Sequence, residues 1–416
     1  MPETSISENK IVVGLDIGTT KICAVAAEIS GDHTRIIGFG QAPSEGLNRG
    51  VVTNIRSAKK TIKKAIEECQ LKAGFEIESV HAGIAGHHIQ GLNREGVVAV
   101  TGDTITNSDI QRVIESARAC NFPDKEILHT LCQEYIVDGQ DGVLDPVGMA
   151  GKRLEAKVHL ILGSVTSAAN IVQCCNDAGL HVENIVLEPL ASSLAALEDE
   201  EKELGVILLD IGGGTTDLVI NRNGAISHTS VLPLGGNQVT NDIAIGLRTT
   251  RIEALRLKHE YGVAKVAMCK KNDVITIKGI AGREDRILER RLLAEVIEAR
   301  FREIFELIKK DLIKSGQQPG IAAGVVLTGG SSLLTGIEEL AEDVLEMPVR
   351  IGAPSRLEGL SELVESPIYS TAVGLIKYGA ESNLDTTFLK NANPDSIFTN
   401  VTSNLKGLIK NFFELF

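Results

Sequence analysis

The alternation of apolar and polar positions divides the chain into two halves of similar design. The first half opens with strand-like runs at 11–28 and 36–42, followed by a helix at 54–72 whose apolar residues recur every three or four positions. A similar series begins at residue 204, with an apolar run, a meander and then a strand at 324–330 that leads into helices. Each half is therefore predicted to form its own core of sheet and helices.

Each core is interrupted by an insert in which the pattern changes. The first insert is predicted to be a small α+β unit with a helix opened by Ser108, which has Gln111 at capping-box spacing. The second is predicted to contain a helix with Glu253 and Arg256, a hairpin, and a long helix from about 285 to 314. The acidic run at 198–203 is predicted to be a solvated connector. The predicted divisions are the first core (10–86 and 164–203), the first insert (87–163), the second core (204–234 and 320–381), the second insert (235–319), a linker (382–402) and a terminal helix (403–416).

A glycine-rich hairpin motif occurs once in each half. Residues 208–219 have the sequence LLDIGGGTTDLV, and residues 13–25 have the related sequence VGLDIGTTKICAV. Glycines let consecutive backbone N–H groups converge on an anion, so each turn suits a phosphate. One copy alone is explained equally well by an ordinary Asp-Gly hairpin, but two copies in corresponding places indicate an internal duplication with nucleotide between the halves.

Asp16 and Asp210 occupy equivalent positions in the two hairpins. We expect both to hold a Mg²⁺ ion, mainly through its waters, because Mg²⁺ on a nucleotide keeps several waters and takes only one or two carboxylates. A third glycine turn, LTGGSSLL at 327–334, suits packing against adenosine. Glu253 and Arg256 share one helix face and are candidates for clamping the ribose and the base, although a surface ion pair is the better-supported interpretation.

Composition restricts the functional class. The formal net charge of −13 argues against nucleic-acid binding, which relies on concentrated lysine and arginine. The seven cysteines show no CxxC spacing, as is typical of free thiols in a reducing compartment. The polar N-terminal segment and the short apolar runs predict neither a signal peptide nor a membrane span. GxxxxGK[ST], GxGxxG, GxSxG and HExxH motifs are missing from the sequence. We therefore expect a cytoplasmic protein.

Five segments resemble the ATP-site segments of the actin, DnaK-type chaperone and sugar-kinase superfamily: DIGTTK, LEPLASS, DIGGGTTD, LTGGSSLL and STAVGLIKYG. Within it the chain is similar to the FtsA family of bacterial division proteins, most specifically in DGQDGVLDPVGMAGKRLE and also in NRGVVTNI and LPLGGNQVTNDIAIGL. This resemblance implies an α/β, actin-like (ribonuclease H-like) duplicated two-lobe fold with the family's insert at 87–163. It also implies ATP binding with at most slow hydrolysis, self-association into filaments, and a location at the division site on the cytoplasmic side of the membrane.

The resemblance further implies partners and site residues. The C-terminal peptide of FtsZ is expected to dock on the second insert, and later division proteins are expected to bind elsewhere. Three arginines on the long helix are candidates for meeting an acidic peptide, and a solvated helix face explains them nearly as well: Arg290, Arg291 and Arg300. The expected contacts to ATP and Mg²⁺ are Asp16, Gly18, Thr19, Thr20, Lys21, Glu188, Asp210, Gly212, Gly213, Gly214, Thr215, Thr216, Gly236, Asn237, Glu253, Arg256, Gly329, Gly330, Ser331 and Ser332.

The end of the chain carries an amphipathic pattern behind a polar linker. On a helical wheel one arc is apolar and contains Leu405, Leu408, Ile409, Phe412, Phe413, Leu415 and Phe416. Such a helix must be buried in something, and its separation by a flexible linker favours the membrane interface over docking on the protein itself. Because Lys406 and Lys410 are balanced by Glu414 and the terminal carboxylate, we expect insertion to depend mainly on apolar burial.

Two other functions remain open at this point. A small-molecule kinase of the same superfamily would need a catalytic base in a substrate cleft and would leave the terminal helix unexplained. A chaperone-type ATPase would need a peptide-binding domain after the last core helix, where only the linker and the terminal helix remain.

Overall fold

A computed structural model of the chain describes residues 10–279, 282–317 and 320–381. The predicted linker and terminal helix therefore lie outside the described residues. The strands up to residue 187 are β1 (Lys10–Ile17), β2 (Lys21–Ser30), β3 (His33–Pro43), β4 (Leu47–Asn48), β5 (Val51–Val52), β6 (Ser79–Ile84), β7 (Gln90–Ala99), β8 (Lys125–Val137), β9 (Gln140–Val143), β10 (Arg153–Ser164) and β11 (His181–Leu187). The helices up to residue 204 are α1 (Ile55–Ala73), α2 (Asn107–Arg118), α3 (Val165–Asp177), α4 (Glu188–Ala196) and α5 (Asp199–Leu204).

The remaining elements follow residue 205. The strands are β12 (Val206–Ile211), β13 (Thr216–Arg222), β14 (Ala225–Leu232), β15 (Val274–Ile277), β16 (Arg286–Glu289), β17 (Gly324–Thr328), β18 (Val349–Ile351) and β19 (Leu357–Gly359). The helices are α6 (Gly236–Gly246), α7 (Arg251–Tyr261), α8 (Arg290–Ser315), α9 (Ile337–Leu345) and α10 (Ser370–Glu381). None of the helices in this described part of the chain has the length and apolar character that crossing a bilayer requires.

Two sheets repeat one arrangement. The first has the order β11-β6-β1-β2-β3-β19, and the second has the order β14-β13-β12-β17-β18. In the first, β1 pairs antiparallel with β2 and parallel with β6; in the second, β12 pairs antiparallel with β13 and parallel with β17. The strand before each glycine hairpin is therefore central in its sheet, and the duplication inferred from the two hairpin motifs is present in the topology.

Helix α1 covers one face of the first sheet. It begins after Asn54, whose side chain accepts a hydrogen bond from the Ser57 N–H over 3.1 Å, and it ends at Gly74 in the left-handed conformation. Its apolar stripe packs against β2 and β3, with Ile62 and Ala65 fully buried. Both helix ends lie within two residues of the predicted bounds.

The last strand and helix return to the first sheet. β19 pairs with β3, and Lys10 at the start of β1 donates a hydrogen bond of 3.1 Å to the carbonyl oxygen of Gly379 in α10. α10 also packs on α4 at Gly374, where a side chain would meet the Ala191 backbone. The sequence-based division kept all of 320–381 in the second core, whereas β19 and α10 pack on the first sheet.

The first insert is a four-stranded sheet with α2 against it, and it rests on the second core. Its strands have the order β7-β10-β8-β9. Asn93 donates to the Ser227 carbonyl over 3.1 Å, and His159 Nε2 lies 2.9 Å from Thr229 Oγ1. Both partners belong to β14, so the insert covers an edge strand of the second sheet.

Three local predictions differ from the structure. The N-cap of α2 lies two residues before the predicted one, because Thr106 and Asp109 form the capping box instead of Ser108 and Gln111. The connector at 198–203 lies almost wholly within α5, which is capped by Glu201 bonding to the Glu198 N–H over 2.9 Å. The long helix starts at Arg290, because the residues before it pair with β15 as strand β16.

Replacing Gly374 with alanine should destabilise the protein. A Cβ at this position would lie 1.8 Å from the Ala191 carbonyl oxygen, so α10 would have to move away from α4, at a cost of about 1–3 kcal/mol. Urea unfolding of the two proteins measures the difference. The matched control is Gly102→Ala in an exposed turn, where the nearest atom is 3.8 Å away and stability should not change. Equal stability of all three proteins would contradict the tight crossing of α10 and α4.

Candidate nucleotide site

The two glycine hairpins lie face to face. A Cβ on Gly213 would be 2.3 Å from the Thr20 Cγ2, and a Cβ on Gly214 would be 2.6 Å from the Thr19 Oγ1. Thr19 Oγ1 also accepts a hydrogen bond of 3.0 Å from the Gly50 N–H. Only glycine fits at these positions of the second hairpin, so the closeness of the two turns depends on the absence of side chains there.

Together the hairpins form one wall of a cavity of about 810 Å³, a size within the range of small-molecule sites. The other walls are the turn after β17, the start of α6 and one face of α7. The predicted site residues that line it are Asp16, Gly18, Thr19, Thr20, Lys21, Glu188, Asp210, Gly212, Gly213, Gly214, Thr215, Gly236, Asn237, Gly329, Gly330 and Ser331.

Asp16 and Asp210 stand at the carboxyl ends of the central strands β1 and β12. Lys21 Nζ binds Asp16 Oδ2 over 2.7 Å; burial alone would lower the pKa of Lys21, but the negative groups around it, Asp16 foremost, together outweigh burial and the pKa is raised. Asp210 Oδ2 accepts hydrogen bonds from Ser192 over 2.6 Å and Thr371 over 3.4 Å. Burial still raises the pKa of Asp210, because desolvation outweighs these hydrogen bonds.

Two further carboxylates add negative charge to the same cavity. Asp217 Oδ2 accepts from Thr215 over 2.8 Å, whereas its buried Oδ1 has no hydrogen-bond partner within the described residues. Burial and then the charge of Asp210 raise the pKa of Asp217 to about 7. Burial and then the charge of Asp16 raise the pKa of Glu188 well above its ordinary value. The cavity therefore favours a cation.

The donor set suits Mg²⁺ held with its own ligand. Across the described ranges no three His, Cys, Asp or Glu side chains are placed to ligate one metal ion. Mg²⁺ keeps waters and takes most of its remaining ligands from substrate phosphates, so it does not need such a cluster. A hydrated Mg²⁺ fits the carboxylates of Asp16 and Asp210 and the unpartnered Oδ1 of Asp217. A polyphosphate fits the glycine turns, which carry no side chains.

The third glycine turn is fixed against the second hairpin. Gly329 has φ of +82°, and a Cβ there would lie 2.3 Å from Asp210 Oδ1. Ser331 Oγ donates to the Gly212 carbonyl over 3.3 Å, and the Gly236 N–H at the start of α6 donates to the same oxygen over 2.9 Å. The turn at 329–331 and the N-terminus of α6 are thereby held at the rim of the cavity.

Four predicted contacts do not line the cavity: Thr216, Ser332, Glu253 and Arg256. Thr216 Oγ1 donates to the Leu234 carbonyl over 2.9 Å, and Ser332 Oγ donates to the Gly329 carbonyl over 2.7 Å, so both hydroxyls stabilise turns. Glu253 and Arg256 pair at 2.6 Å, and Glu253 accepts the Lys278 N–H over 3.0 Å. This pair fastens the β15 hairpin to α7, with Glu253 buried.

The opposite face of α7 meets the cavity. The residues of this face that line the cavity follow one another at spacings of four, three, one and three positions: Arg251, Leu255, Lys258, His259 and Gly262. Lys258 Nζ donates to the Gly236 carbonyl over 2.9 Å, and burial, followed by the charge of Arg251, lowers its pKa to about 8. The helical spacing was visible in the sequence, but which face of α7 met the cavity was not. Asp217, Thr335, Ile368 and Thr371 are also lining residues that the sequence analysis missed.

The three arginines of α8 differ in their surroundings. Arg290 donates to the Tyr261 carbonyl over 2.7 Å and pairs with Asp273 at 3.0 Å, and Arg300 pairs with Asp242 at 2.5 Å. Arg291 is largely exposed, and its one ion pair among the described residues is along the helix, with Glu295 at 3.0 Å. Arg290 and Arg300 therefore fasten α8 to its neighbours, and Arg291 projects furthest into solvent.

Comparisons with known proteins agree with this architecture. Models of two families match, one described as "Cell division protein FtsA" over residues 207–374 and one as "SHS2 domain inserted in FTSA" over residues 86–162. The chain is 46% identical over 383 residues to a protein of Pseudomonas aeruginosa (92% of each chain) and 39% identical over 388 residues to one of Escherichia coli K12 (91% of this chain, 92% of the other). Both of these proteins are named cell division protein FtsA.

Solved structures with the same fold have much lower sequence identity. The PilM-PilN type IV pilus biogenesis complex matches with a TM-score of 0.62 at 19% identity, covering 88% of this chain and 98% of the other. MreB5 of Spiroplasma citri bound to ADP matches with a TM-score of 0.51 at 16% identity, covering 94% and 100%. The MamK double helical filament has a TM-score of 0.51 at 13% identity, covering 89% and 99%. The predicted actin-like, two-lobe α/β fold is confirmed.

Asp217 should make stability depend on pH. Its folded-state pKa is raised, so between about pH 4 and about pH 7 the folded state binds the extra proton and the free energy of unfolding falls as pH rises. Asp217→Asn should remove this loss, which amounts to about 2–4 kcal/mol between pH 5 and pH 8. Denaturant unfolding at both pH values measures it. Asp103→Asn, at a fully exposed side chain, is the control, and a pH dependence shared by all three proteins would contradict the assignment.

Proposed function

The chain belongs to the FtsA family of cell division proteins, and on that premise we propose that it binds Mg-ATP between its two lobes and assembles at the division site. In this proposal it lies on the inner face of the cytoplasmic membrane, held there by its terminal helix. It ties FtsZ to the membrane and recruits later division proteins. The observation that carries the proposal is the pair of facing glycine hairpins over a cation-favouring cavity.

The cavity walls suggest how each part of the nucleotide is held. Backbone N–H groups of the two hairpins would bind the β- and γ-phosphates, with Lys21 beside them. Mg²⁺ would supply the positive charge that offsets the carboxylates, with Asp16 and Asp210 holding its waters. The nucleoside would lie between the turn at 329–331 and the face of α7 that carries Leu255 and Lys258. On this side of the cavity, Lys258 Nζ donates to the Gly236 carbonyl over 2.9 Å.

In this proposal ATP acts mainly by holding the two lobes together. One hairpin belongs to each half of the chain, so a ligand that contacts both stabilises the closed arrangement. Closure would favour the form that associates with further copies into an actin-like filament. At most slow hydrolysis is part of the proposal. The two relatives match this chain over about nine-tenths of its length, and both are named as cell division proteins. They therefore favour this function over the kinase and chaperone alternatives.

FtsZ and the membrane are proposed to bind at different places. The exposed guanidinium of Arg291 on the second insert suits an acidic tail peptide, whereas Arg290 and Arg300 act by holding α8 in position. Membrane binding is assigned to the amphipathic sequence at 403–416, on the pattern of its apolar residues. A filament would present many such helices in a row, so a weak single anchor would become a firm one.

Asp210→Ala should weaken Mg-ATP binding by roughly 10–100-fold, because the waters of the metal lose an acceptor. Isothermal titration with Mg²⁺ and with EDTA separates the metal contribution, and the variant should lose most of the difference between the two conditions. Glu253→Gln, outside the cavity, is the control and should bind like the unaltered chain. Equal Mg-dependence in the Asp210 variant would refute this part of the proposal.

Removal of residues 403–416 should abolish flotation with liposomes of uncharged lipid, because apolar burial is the expected driving force. Density-gradient flotation of the full chain and of the chain ending at Thr402 measures this. A full-length variant with Asn404→Ser and Asn411→Ser, on the polar arc, should still float. Equal flotation of the truncated and full chains would show that the anchor lies elsewhere.

A further inference from the structure

Helix α1 presents a concentrated positive charge to solvent. Five basic residues fall within its first ten positions, and we call them the α1 basic face: Arg56, Lys59, Lys60, Lys63 and Lys64. At 100° per residue they span less than half of the helix circumference, opposite the buried stripe. All of them are exposed except Lys59, which is half-buried. At 1.5 Å per residue the face is about 12 Å long.

Most residues of the α1 basic face form no ion pair within the described part of the chain. Lys63 lies 3.8 Å from Glu67, the next acidic residue along the helix. The other four make no ion pair or side-chain hydrogen bond in the portion of the chain that the structure describes. Lys72, beyond the face, shows the contrast, since it pairs with Glu68 at 2.6 Å and donates to the Phe39 carbonyl over 3.0 Å.

The basic face works against the stability of its own helix. Lys60 follows Arg56 and precedes Lys64 by four positions, and such like-charge pairs destabilise a helix. Cations near a helix N-terminus also oppose the macrodipole, and the first turn of α1 has no acidic residue. Caps and core packing hold α1 in place despite these charges. Folding therefore gives no reason for the cluster, and a role in binding does.

The neighbouring helix adds little negative charge. α3 lies beside α1 on the same side of the first sheet, and its only charged residue is Asp177. Leu71, two turns beyond Lys64 on the same side of α1, is 85% exposed. Basic side chains with an exposed apolar residue on one flat helix side suit a membrane interface, where the cations meet lipid phosphates and the apolar group enters the boundary.

We propose that the α1 basic face binds the anionic headgroups of a phospholipid membrane. This contact is separate from the terminal helix, whose own charges are balanced in the sequence and whose insertion depends on apolar burial. The two contacts have different roles: the terminal helix inserts into the membrane, and α1 makes binding stronger on anionic lipid. The inference rests on membrane association of the chain but not on the terminal helix being its anchor.

The test uses the full chain with Lys60→Gln, Lys63→Gln and Lys64→Gln together. Co-sedimentation is measured with vesicles of phosphatidylcholine alone and with phosphatidylcholine and phosphatidylglycerol at about 2:1. A basic residue near an anionic surface contributes about fivefold in affinity, so the triple variant should lose roughly tenfold or more on the anionic vesicles. On neutral vesicles it should bind like the unaltered chain. Raising the salt concentration should weaken the unaltered chain on anionic vesicles more than the variant.

The matched control has the same change in charge on the second insert: Lys270→Gln, Lys271→Gln and Arg283→Gln, all exposed. It should keep the preference for anionic vesicles. If the α1 variant keeps that preference too, α1 does not bind lipid and the proposal is overturned. An acidic protein would then be the better candidate for the partner of the α1 basic face. Removal of residues 403–416 tests the anchor separately, because it should reduce binding to both kinds of vesicle while α1 preserves the anionic preference.

Thermal unfolding of the α1 variant completes the test. Loss of like-charge repulsion should leave the unfolding temperature unchanged or raise it. A lowered unfolding temperature together with weaker binding to both kinds of vesicle would mean damage to the fold and would overturn the assignment of these lysines to lipid.

Discussion

The structure is organised by a surplus of negative charge in the cleft between the lobes. Asp16 comes from one half of the chain and Asp210 from the other, and Asp217 and Glu188 add to them, while Lys21 is the ammonium paired with Asp16. In a water-poor site such carboxylates cannot all ionise without a compensating cation, so they keep protons or acquire a positive ion. The contact between the lobes and the charge state of the cleft are thereby coupled.

The parts of the site that could be predicted are those encoded by adjacent residues. The hairpins were recognisable because aspartate, glycine and threonine recur in the same order in both halves, and a tight turn needs those residues locally. The partners of Asp210 carried no such signal. Thr371 reaches it from 161 positions away, on a helix whose place depends on packing against α4. For α7, the spacing of Glu253 and Arg256 predicted a shared face correctly, but the cavity lies against the other face.

Short elements escaped prediction for a related reason. β16 has four residues and β19 has three, and neither has an apolar pattern long enough to distinguish a strand from a loop. Pairing with β15 and with β3 makes them strands, so their conformation is a property of the tertiary structure. Long amphipathic helices such as α1 were located closely, because their period and their caps are both present in the local sequence.

The return of the chain to the first sheet has a consequence for biosynthesis. β19 and α10 complete the sheet that β1 begins, so residues in direct contact, such as Lys10 and Gly379, are 369 positions apart. The ribosome releases Gly379 long after Lys10, and until then the first sheet lacks the cover that α10 provides. The first sheet therefore begins the chain but is completed only after the second core has been made, and in the interval its exposed apolar surface favours aggregation.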